Sequence, residues 1–136
     1  MGIRLLVADD HEWIRDGLRL AFLSTEIEIV AEAVNREEAV CLALAMDIDL
    51  VLLDINMTGG DGIEALARIR SAKSDLPILM YSAQAGLDCI YHCQEAGANG
   101  LLRKGVDNKE LIDTIRLVAA GGKCWTHFPS RFCPVK

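Results

Sequence analysis

Short apolar runs alternate with amphipathic segments along most of this chain. Five runs, each bounded by polar residues, have the length and composition typical of buried parallel strands. Strands are predicted at residues 3–9, 28–33, 50–53, 77–81 and 100–102. Between and after them, apolar positions recur at helical spacing, and helices are predicted at residues 12–23, 36–46, 63–72, 87–96 and 108–120.

Local signals mark several helix ends. Asn35 is a favourable N-cap for the second helix, and Glu38 completes a capping-box pattern three residues later. Gly97 is predicted to end the fourth helix, and Gly121 and Gly122 the fifth.

The order of these elements predicts an α/β fold. Five β/α units in series favour a parallel sheet with helices on both faces. A flavodoxin-like three-layer sandwich, with five strands in the order 2-1-3-4-5 and five helices, is the common solution for such a series. In that order the first and third strands are neighbours, at the point where the direction of winding reverses.

Charged residues lie at the ends of three predicted strands. Asp9 and Asp10 end the first run, Asp54 follows the third, and Lys104 follows the fifth. Because ligand sites in open parallel sheets lie at the carboxyl ends of strands, these side chains are expected to share one pocket. Three carboxylates repel one another unless a cation lies between them, and Mg²⁺, with its preference for oxygen ligands, is the first choice.

Length and composition narrow the class of protein. The 136 residues fit one domain, predicted at residues 1–121, followed by a tail or linker stub at 122–136 that is too short for a second domain. A hydrophobic content of 51% argues against disorder, and no apolar stretch is long enough to span a bilayer. With no signal peptide evident, a cytoplasmic protein is expected. The net charge of −6 makes direct nucleic-acid binding by this chain unexpected.

The cysteines do not indicate a disulfide framework. Five are present, an odd number at irregular spacing. Cys89, His92 and Cys93 fall on one predicted helix, but cytosolic thiols on a half-buried helix explain them better than a metal site.

Several motifs together resemble the receiver domain of two-component response regulators, most closely those that precede a helix-turn-helix DNA-binding domain. The resemblance covers residues 3 to about 121, and the junction sequence extends it to residue 125. The matching motifs are ADD at 8–10, LLDINM at 52–57, GGDGIEAL at 59–66, YSA at 81–83, the lysine at 104 and LVAAGGKCW at 117–125.

The resemblance implies a role for each matching residue. Asp54 would accept a phosphoryl group from a sensor histidine kinase, while Asp9, Asp10, Asp54 and the main-chain carbonyl of Asn56 would hold Mg²⁺. Ser82 and Lys104 would contact the phosphoryl group, and Asn56 and Gln84 would tune its hydrolysis. The face formed by the fourth helix and fifth strand would then change conformation, and phosphorylation would favour a homodimer. The resemblance implies a phosphorelay switch with self-phosphorylation and self-dephosphorylation chemistry, not a turnover enzyme, which would form the N-terminal part of a protein of transcription regulation.

Three positions depart from the family pattern. Thr58 and Gly105 stand where proline is usual, and the proline replaced by Gly105 follows a cis bond in the family. Leu101 stands where an aromatic side chain usually reports phosphorylation. These departures concern the loop geometry and the mode of output, and they leave the acceptor chemistry intact.

Other classes fit the sequence less well. A phosphatase of the haloacid dehalogenase type needs an acid two residues after its nucleophile, where this chain has Asn56. A flavodoxin-like flavin binder needs a phosphate-binding loop after the first strand, where Asp9 and Asp10 would repel phosphate. The remaining alternative is a receiver-like interaction module that is never phosphorylated. Asp61 is expected to be a loop residue without a catalytic role, and Trp13 to be a partly buried core residue and not a ligand contact.

Overall fold

The computed structural model describes residues 2–57, 60–83 and 87–125, with the main chain alone for residues 60, 61 and 87. Five strands form one parallel sheet: β1 (Ile3–Ala8), β2 (Ile27–Ala33), β3 (Leu50–Asp54), β4 (Ile78–Ser82) and β5 (Gly100–Arg103). Five helices connect or follow them: α1 (Glu12–Ala21), α2 (Arg36–Ala45), α3 (Gly62–Ala72), α4 (Leu87–Glu95) and α5 (Asn108–Ala119).

The strand order is β2-β1-β3-β4-β5, which confirms the predicted flavodoxin-like topology. The register pairs Leu5 with Leu50 between β1 and β3, and Val51 with Ile78 between β3 and β4. This alignment places the carboxyl ends of β1 and β3 side by side. The parallel arrangement arises because each connection crosses over through a helix.

Two apolar layers cover the two faces of the sheet. One cluster packs α2, α3 and α4 against one face, and it includes Leu53, Met80 and Leu101. The other packs α1 and α5 against the opposite face, and it includes Leu52 and Leu102. Neighbouring strand residues such as Leu52 and Leu53 therefore point to opposite layers, and both are buried. Each fully buried leucine stabilises the fold by about 2 kcal/mol.

The predicted helix caps are present. The Asn35 side chain accepts a hydrogen bond from the Glu38 main-chain N–H at 2.8 Å, and the Glu38 carboxylate reaches back to the Val34 N–H at 2.9 Å. Asp107 caps α5 in the same way, accepting a hydrogen bond from the Glu110 N–H at 2.9 Å, although no cap is predicted there from the sequence.

Two local features differ from the sequence predictions. The expectation that Trp13 belongs to the core is wrong, because 70% of this residue is exposed on α1. Directly after β3, residues Asn56–Met57 and Gly60–Asp61 pair antiparallel, where only a loop was predicted. Among the described residues, no helix is both long and apolar enough to cross a membrane.

Candidate functional site

The acidic residues at the carboxyl ends of β1 and β3 form one pocket. Asp9, Asp10, His11 and Asp54 each place a potential metal-ligand atom within 4.8 Å of the others. Asp9 and Asp54 are only 1% and 3% exposed, whereas Asp10 is half-buried. Adjacent strand ends therefore gather three carboxylates in a small, largely buried volume.

Lys104 lies between two of these carboxylates. Its Nζ is 2.7 Å from Asp9 Oδ2 and 3.0 Å from Asp54 Oδ2, and it also lies 5.4 Å from the centre of the Tyr81 ring. Burial alone would lower the pKa of Lys104, but the hydrogen bonds to Asp9 and Asp54 outweigh burial and raise that pKa. The lysine is therefore a fixed positive charge inside the pocket.

The second oxygen of the Asp54 carboxylate is also bound. Asp54 Oδ1 accepts a hydrogen bond from the Asn56 main-chain N–H at 3.1 Å. Burial raises the pKa of Asp54, and the Asp9 carboxylate adds to this, whereas Lys104 and the Asn56 N–H offset only part of the effect. The Asp54 carboxylate thus has a defined orientation at the carboxyl end of β3.

The main chain brings β4 and β5 to the same pocket. Ser82 is the last residue of β4, one residue beyond the predicted end of that strand, and it is fully buried. Its carbonyl accepts a hydrogen bond from the Lys104 N–H at 2.8 Å. Gly105 follows with φ of 98°, a left-handed conformation that glycine adopts without strain, and no peptide bond in the described ranges is cis. The departure from proline at this position is therefore accommodated by a glycine turn.

Gly62 allows the loop after Asp54 to close tightly. Its N–H donates to the Ile55 carbonyl at 2.6 Å, and an added side-chain carbon would lie 2.1 Å from the Asp54 carbonyl oxygen. No other amino acid fits at this position without moving the backbone of Asp54.

Sequence reasoning missed two residues of the pocket. The His11 N–H donates to Asp9 Oδ1 at 2.8 Å, and its Nδ1 lies 3.2 Å from Asp9 Oδ1 and 3.1 Å from Asp10 Oδ1. Arg15 donates to the Asp9 carbonyl at 2.6 Å while pairing with Glu32 at 2.8 Å. The available signal was a histidine one residue after the acidic pair and an arginine five residues after it. These positions matter because the first turn of α1 faces this strand end.

The donor set suits a hard divalent cation. Three carboxylates offer the oxygen ligands that Mg²⁺ prefers, and their mutual repulsion would be relieved by a cation. The part of Asn56 that the structure shows in contact with Asp54 is its N–H. The predicted residues Thr58 and Gln84 lie outside the described residues.

Comparison with known proteins agrees with this arrangement. Residues 5–116 match the family described as response regulator receiver domain. The transcriptional regulatory protein LiaR of Bacillus subtilis (strain 168) is 40% identical over 121 residues, which are 88% of this chain and 57% of LiaR. The nitrate/nitrite response regulator protein NarL of Escherichia coli (strain K12) is 33% identical over 86% of this chain and 55% of its own length.

A solved structure is similar over nearly the whole chain. The two-component response regulator of the LuxR family from Aurantimonas sp. SI85-9A1 superimposes with a TM-score of 0.84 at 32% identity, over 90% of this chain and 89% of that one. This chain spans less than two thirds of the length of the curated relatives named above. With the pocket, the topology and the matched residues in agreement, the chain belongs to the family of response regulator receiver domains, the receivers of two-component signalling.

Proposed function

We propose that Asp54 accepts a phosphoryl group from the phosphohistidine of a sensor histidine kinase, in a reaction that requires Mg²⁺. The observation that carries this proposal is the Asp54 carboxylate itself. It is buried at the end of β3, held by Lys104 and the Asn56 N–H, and within 4.8 Å of the acidic pair at the end of β1.

The transfer exchanges one bond for another. An Asp54 oxygen attacks phosphorus, the P–N bond breaks, and its electron pair stays on the imidazole, which takes up a proton and leaves as neutral histidine. In-line transfer needs mainly positioning and charge neutralisation. Lys104 supplies a fixed positive charge at 3.0 Å from the accepting carboxylate, and the Ser82 hydroxyl is proposed to donate to a phosphoryl oxygen.

Asp9, Asp10, Asp54 and the Asn56 carbonyl are the residues proposed to hold Mg²⁺. The chemistry that such an ion would supply is neutralisation of the negative charge on the phosphoryl oxygens. Asp9 already shares Lys104 with Asp54, so the two strand ends form one electrostatic unit. Water attack on the acyl phosphate would restore the carboxylate, and Asn56 and Gln84 are proposed to control the access of that water.

The product of the reaction is proposed to be a switch. Phosphorylation would alter the face formed by α4 and β5, because Lys104 at the end of β5 contacts the accepting group directly. The transcription regulators among the relatives suggest that a longer protein carries the output, and a cytoplasmic location fits a kinase partner.

A homodimer formed on phosphorylation belongs to the same proposal. Trp13 and Leu20 on α1 and Leu117 on α5 are large apolar side chains with exposures of 70%, 69% and 48%. A contiguous exposed apolar patch marks a protein interface, and these three side chains are proposed to form such a patch across α1 and α5. Size-exclusion chromatography with and without phosphorylation would show whether the population shifts from monomer to dimer.

Incubation with acetyl phosphate, with and without Mg²⁺, followed by intact-mass measurement tests the acceptor chemistry. We expect a single phosphoryl adduct that depends on Mg²⁺, is absent in Asp54→Asn, and persists in Asp113→Asn, which removes an exposed carboxylate on α5. Absence of the adduct both with this donor and with a histidine kinase, in a folded protein, would contradict the proposal and favour the unphosphorylated interaction module.

A further inference from the structure

After α5 the chain turns back and lies along the outer edge of β5. Residues 123–125, called here the edge segment, are held there by two main-chain hydrogen bonds. The Cys124 N–H donates to the Asn99 carbonyl at 3.0 Å, and the Leu101 N–H donates to the Cys124 carbonyl at 3.2 Å. A parallel bridge between Gly100 and Cys124 results, so the edge segment covers part of an otherwise open sheet edge.

The close approach of the edge segment depends on Gly100. A side-chain carbon at this position would lie 2.7 Å from the Cys124 carbonyl oxygen and 3.2 Å from its nitrogen. Since both contacts are with backbone atoms, they cannot be relieved by a rotamer change. The edge of β5 is thus shaped to receive another strand.

The side chains of the edge segment enter both layers of the core. Cys124 is 5% exposed and belongs to the cluster that contains α5, whereas Trp125 is 4% exposed and belongs to the cluster that contains α4 and Leu101. This alternation is that of a strand. The Trp125 ring therefore packs in the apolar layer that contains α4, although Trp125 lies outside the five strands of the sheet.

β5 joins the edge segment to the acidic pocket. The strand has four residues, with the Leu101 N–H bound to the edge segment near its start. Lys104 directly follows its end and pairs with Asp54. A group added to Asp54 would change the contact that Lys104 makes with that residue. Because β5 has four residues, we expect the shift to reach the edge segment, which is held by the two main-chain hydrogen bonds and by the buried side chains of Cys124 and Trp125.

We propose that the edge segment is a regulated element, and that phosphorylation of Asp54 weakens its docking on β5 and releases Trp125. This inference rests on the proposed function. Phosphorylation in the pocket would then affect the chain beyond residue 125 by changing the position of the edge segment. By linkage, a change that undocks the edge segment also alters the stability of the phosphorylated state.

Alkylation of cysteines tests the release, with an internal control in the same molecule. Cys124 lies in the edge segment, whereas Cys93 lies on α4 and is fully buried. We expect Mg²⁺ and acetyl phosphate to raise the labelling rate of Cys124 by iodoacetamide several-fold, measured by peptide mass, with the rate at Cys93 unchanged. Asp54→Asn should show no change at either cysteine.

Tryptophan fluorescence gives a second readout. The chain has two tryptophans, and Trp13→Phe leaves Trp125 as the sole emitter. Phosphorylation should shift its emission to longer wavelength and increase quenching by acrylamide. In the same background and without phosphorylation, Gly100→Ala should produce the same change. Gly17→Ala is the matched control, because no atom lies within 4 Å of the added carbon.

The outcomes separate the two proposals. An adduct by mass with unchanged Cys124 labelling and unchanged Trp125 emission would overturn the regulation. Equal labelling of Cys124 and Cys93 would indicate global unfolding and would also overturn it. If Trp125 in the Gly100→Ala protein still emitted at the wavelength of a buried tryptophan, that result would overturn the docking site itself. Absence of the adduct both with acetyl phosphate and with a histidine kinase would refute the proposed function and the regulation with it, while the Gly100→Ala comparison would still decide the docking site.

Discussion

Lys104 determines the charge balance of the pocket. One ammonium group is shared by Asp9 and Asp54, and its exposed fraction is only 11%. Burial of the three charges is costly, and their mutual attraction offsets this cost as long as all three are present. The lysine and a bound cation would therefore stabilise the same carboxylates, and each reduces the need for the other.

Replacing Lys104 by methionine should expose this relationship. Without a divalent cation, Lys104→Met should destabilise the protein by about 3 kcal/mol, because two buried carboxylates lose their partner. Millimolar Mg²⁺ should recover much of the loss and should bind more tightly than to the wild type. Urea unfolding with and without Mg²⁺ measures both effects.

Lys73→Met is the control for that experiment. Lys73 Nζ also lies in a partly buried position, but it donates to the carbonyls of Ala43 at 2.8 Å and Met46 at 3.2 Å. Its loss should not be recovered by Mg²⁺. Equal recovery in the two variants would show that the cation does not act at the Asp9–Asp54 pair.

Asp54 should make stability depend on pH in an unusual direction. Burial raises the pKa of Asp54 above its usual 3.8, so the folded state holds this proton more strongly than the unfolded state. The stability contributed by the protonated form is present below pH 3.8 and is lost as pH rises through the folded pKa. Asp54→Asn should therefore be more stable than the wild type near neutral pH, and the difference should shrink toward pH 3.8. Thermal melts across this range provide the measurement, and a difference that grows with acidity would contradict it.

The sequence predicts part of this pocket and misses part of it. Asp9, Asp54 and Lys104 could be found because each follows an apolar strand, and strand ends converge in a parallel sheet. His11 and Arg15 could not be found this way, since their contacts depend on how α1 leaves β1. The expectation of a partly buried Trp13 fails because α1 turns this side chain outward, and single apolar side chains are often exposed.

At the level of elements, the connection from β3 to α3 holds the accepting residue in place. The sequence indicates a glycine-rich loop here, yet the structure contains a two-residue pairing of Asn56 with Asp61 and Met57 with Gly60. Pairings this short have no hydrophobic period, so they could not be predicted. The longer strands and helices could be predicted to within a few residues, because their pattern of apolar positions extends over several residues.

Gly62 at the start of α3 should be intolerant of substitution. A side-chain carbon there would lie 2.1 Å from the Asp54 carbonyl oxygen, so Gly62→Ala must shift the backbone of the accepting residue. We expect a loss of about 2 kcal/mol, in the range typical of overpacking, together with a slower reaction with acetyl phosphate. Chemical denaturation and the rate of adduct formation by intact mass check the two effects.

Gly17→Ala again provides the matched comparison. It adds the same methyl group to an open position on α1, where alanine also favours the helix. This variant should be as stable as the wild type or slightly more so and should react at the same rate. A Gly62→Ala protein with normal stability and reactivity would show that the backbone around Asp54 is compliant.

At the level of the whole molecule, the β2-β1-β3-β4-β5 order follows from rules of connection, which explains why it could be predicted from the pattern alone. The ion pairs that join distant parts of the chain could not be predicted, because they depend on side chains that meet only after packing. Arg116 on α5 donates to both carboxylate oxygens of Glu26, each at 2.9 Å, across ninety positions of sequence. This bidentate ion pair links α5 to the residue that directly precedes β2.

The Glu26–Arg116 pair should lose its effect on stability in acid. The hydrogen bonds from Arg116 lower the pKa of Glu26 from its usual 4.5 to about 2, so the folded state holds the ionised form. The stabilisation is present above about pH 4.5 and is lost as pH falls toward about 2. Glu26→Gln should thus lower the Tm modestly at neutral pH, with a difference that narrows in acid and at high salt, since the pair is exposed. Glu37→Gln, which removes the exposed partner of Arg68 between α2 and α3, should leave the stability coupling between Glu26 and Arg116 in a double-mutant cycle unchanged. A Tm difference for Glu26→Gln that is the same at every pH would mean that the carboxylate contributes through packing and not through its charge.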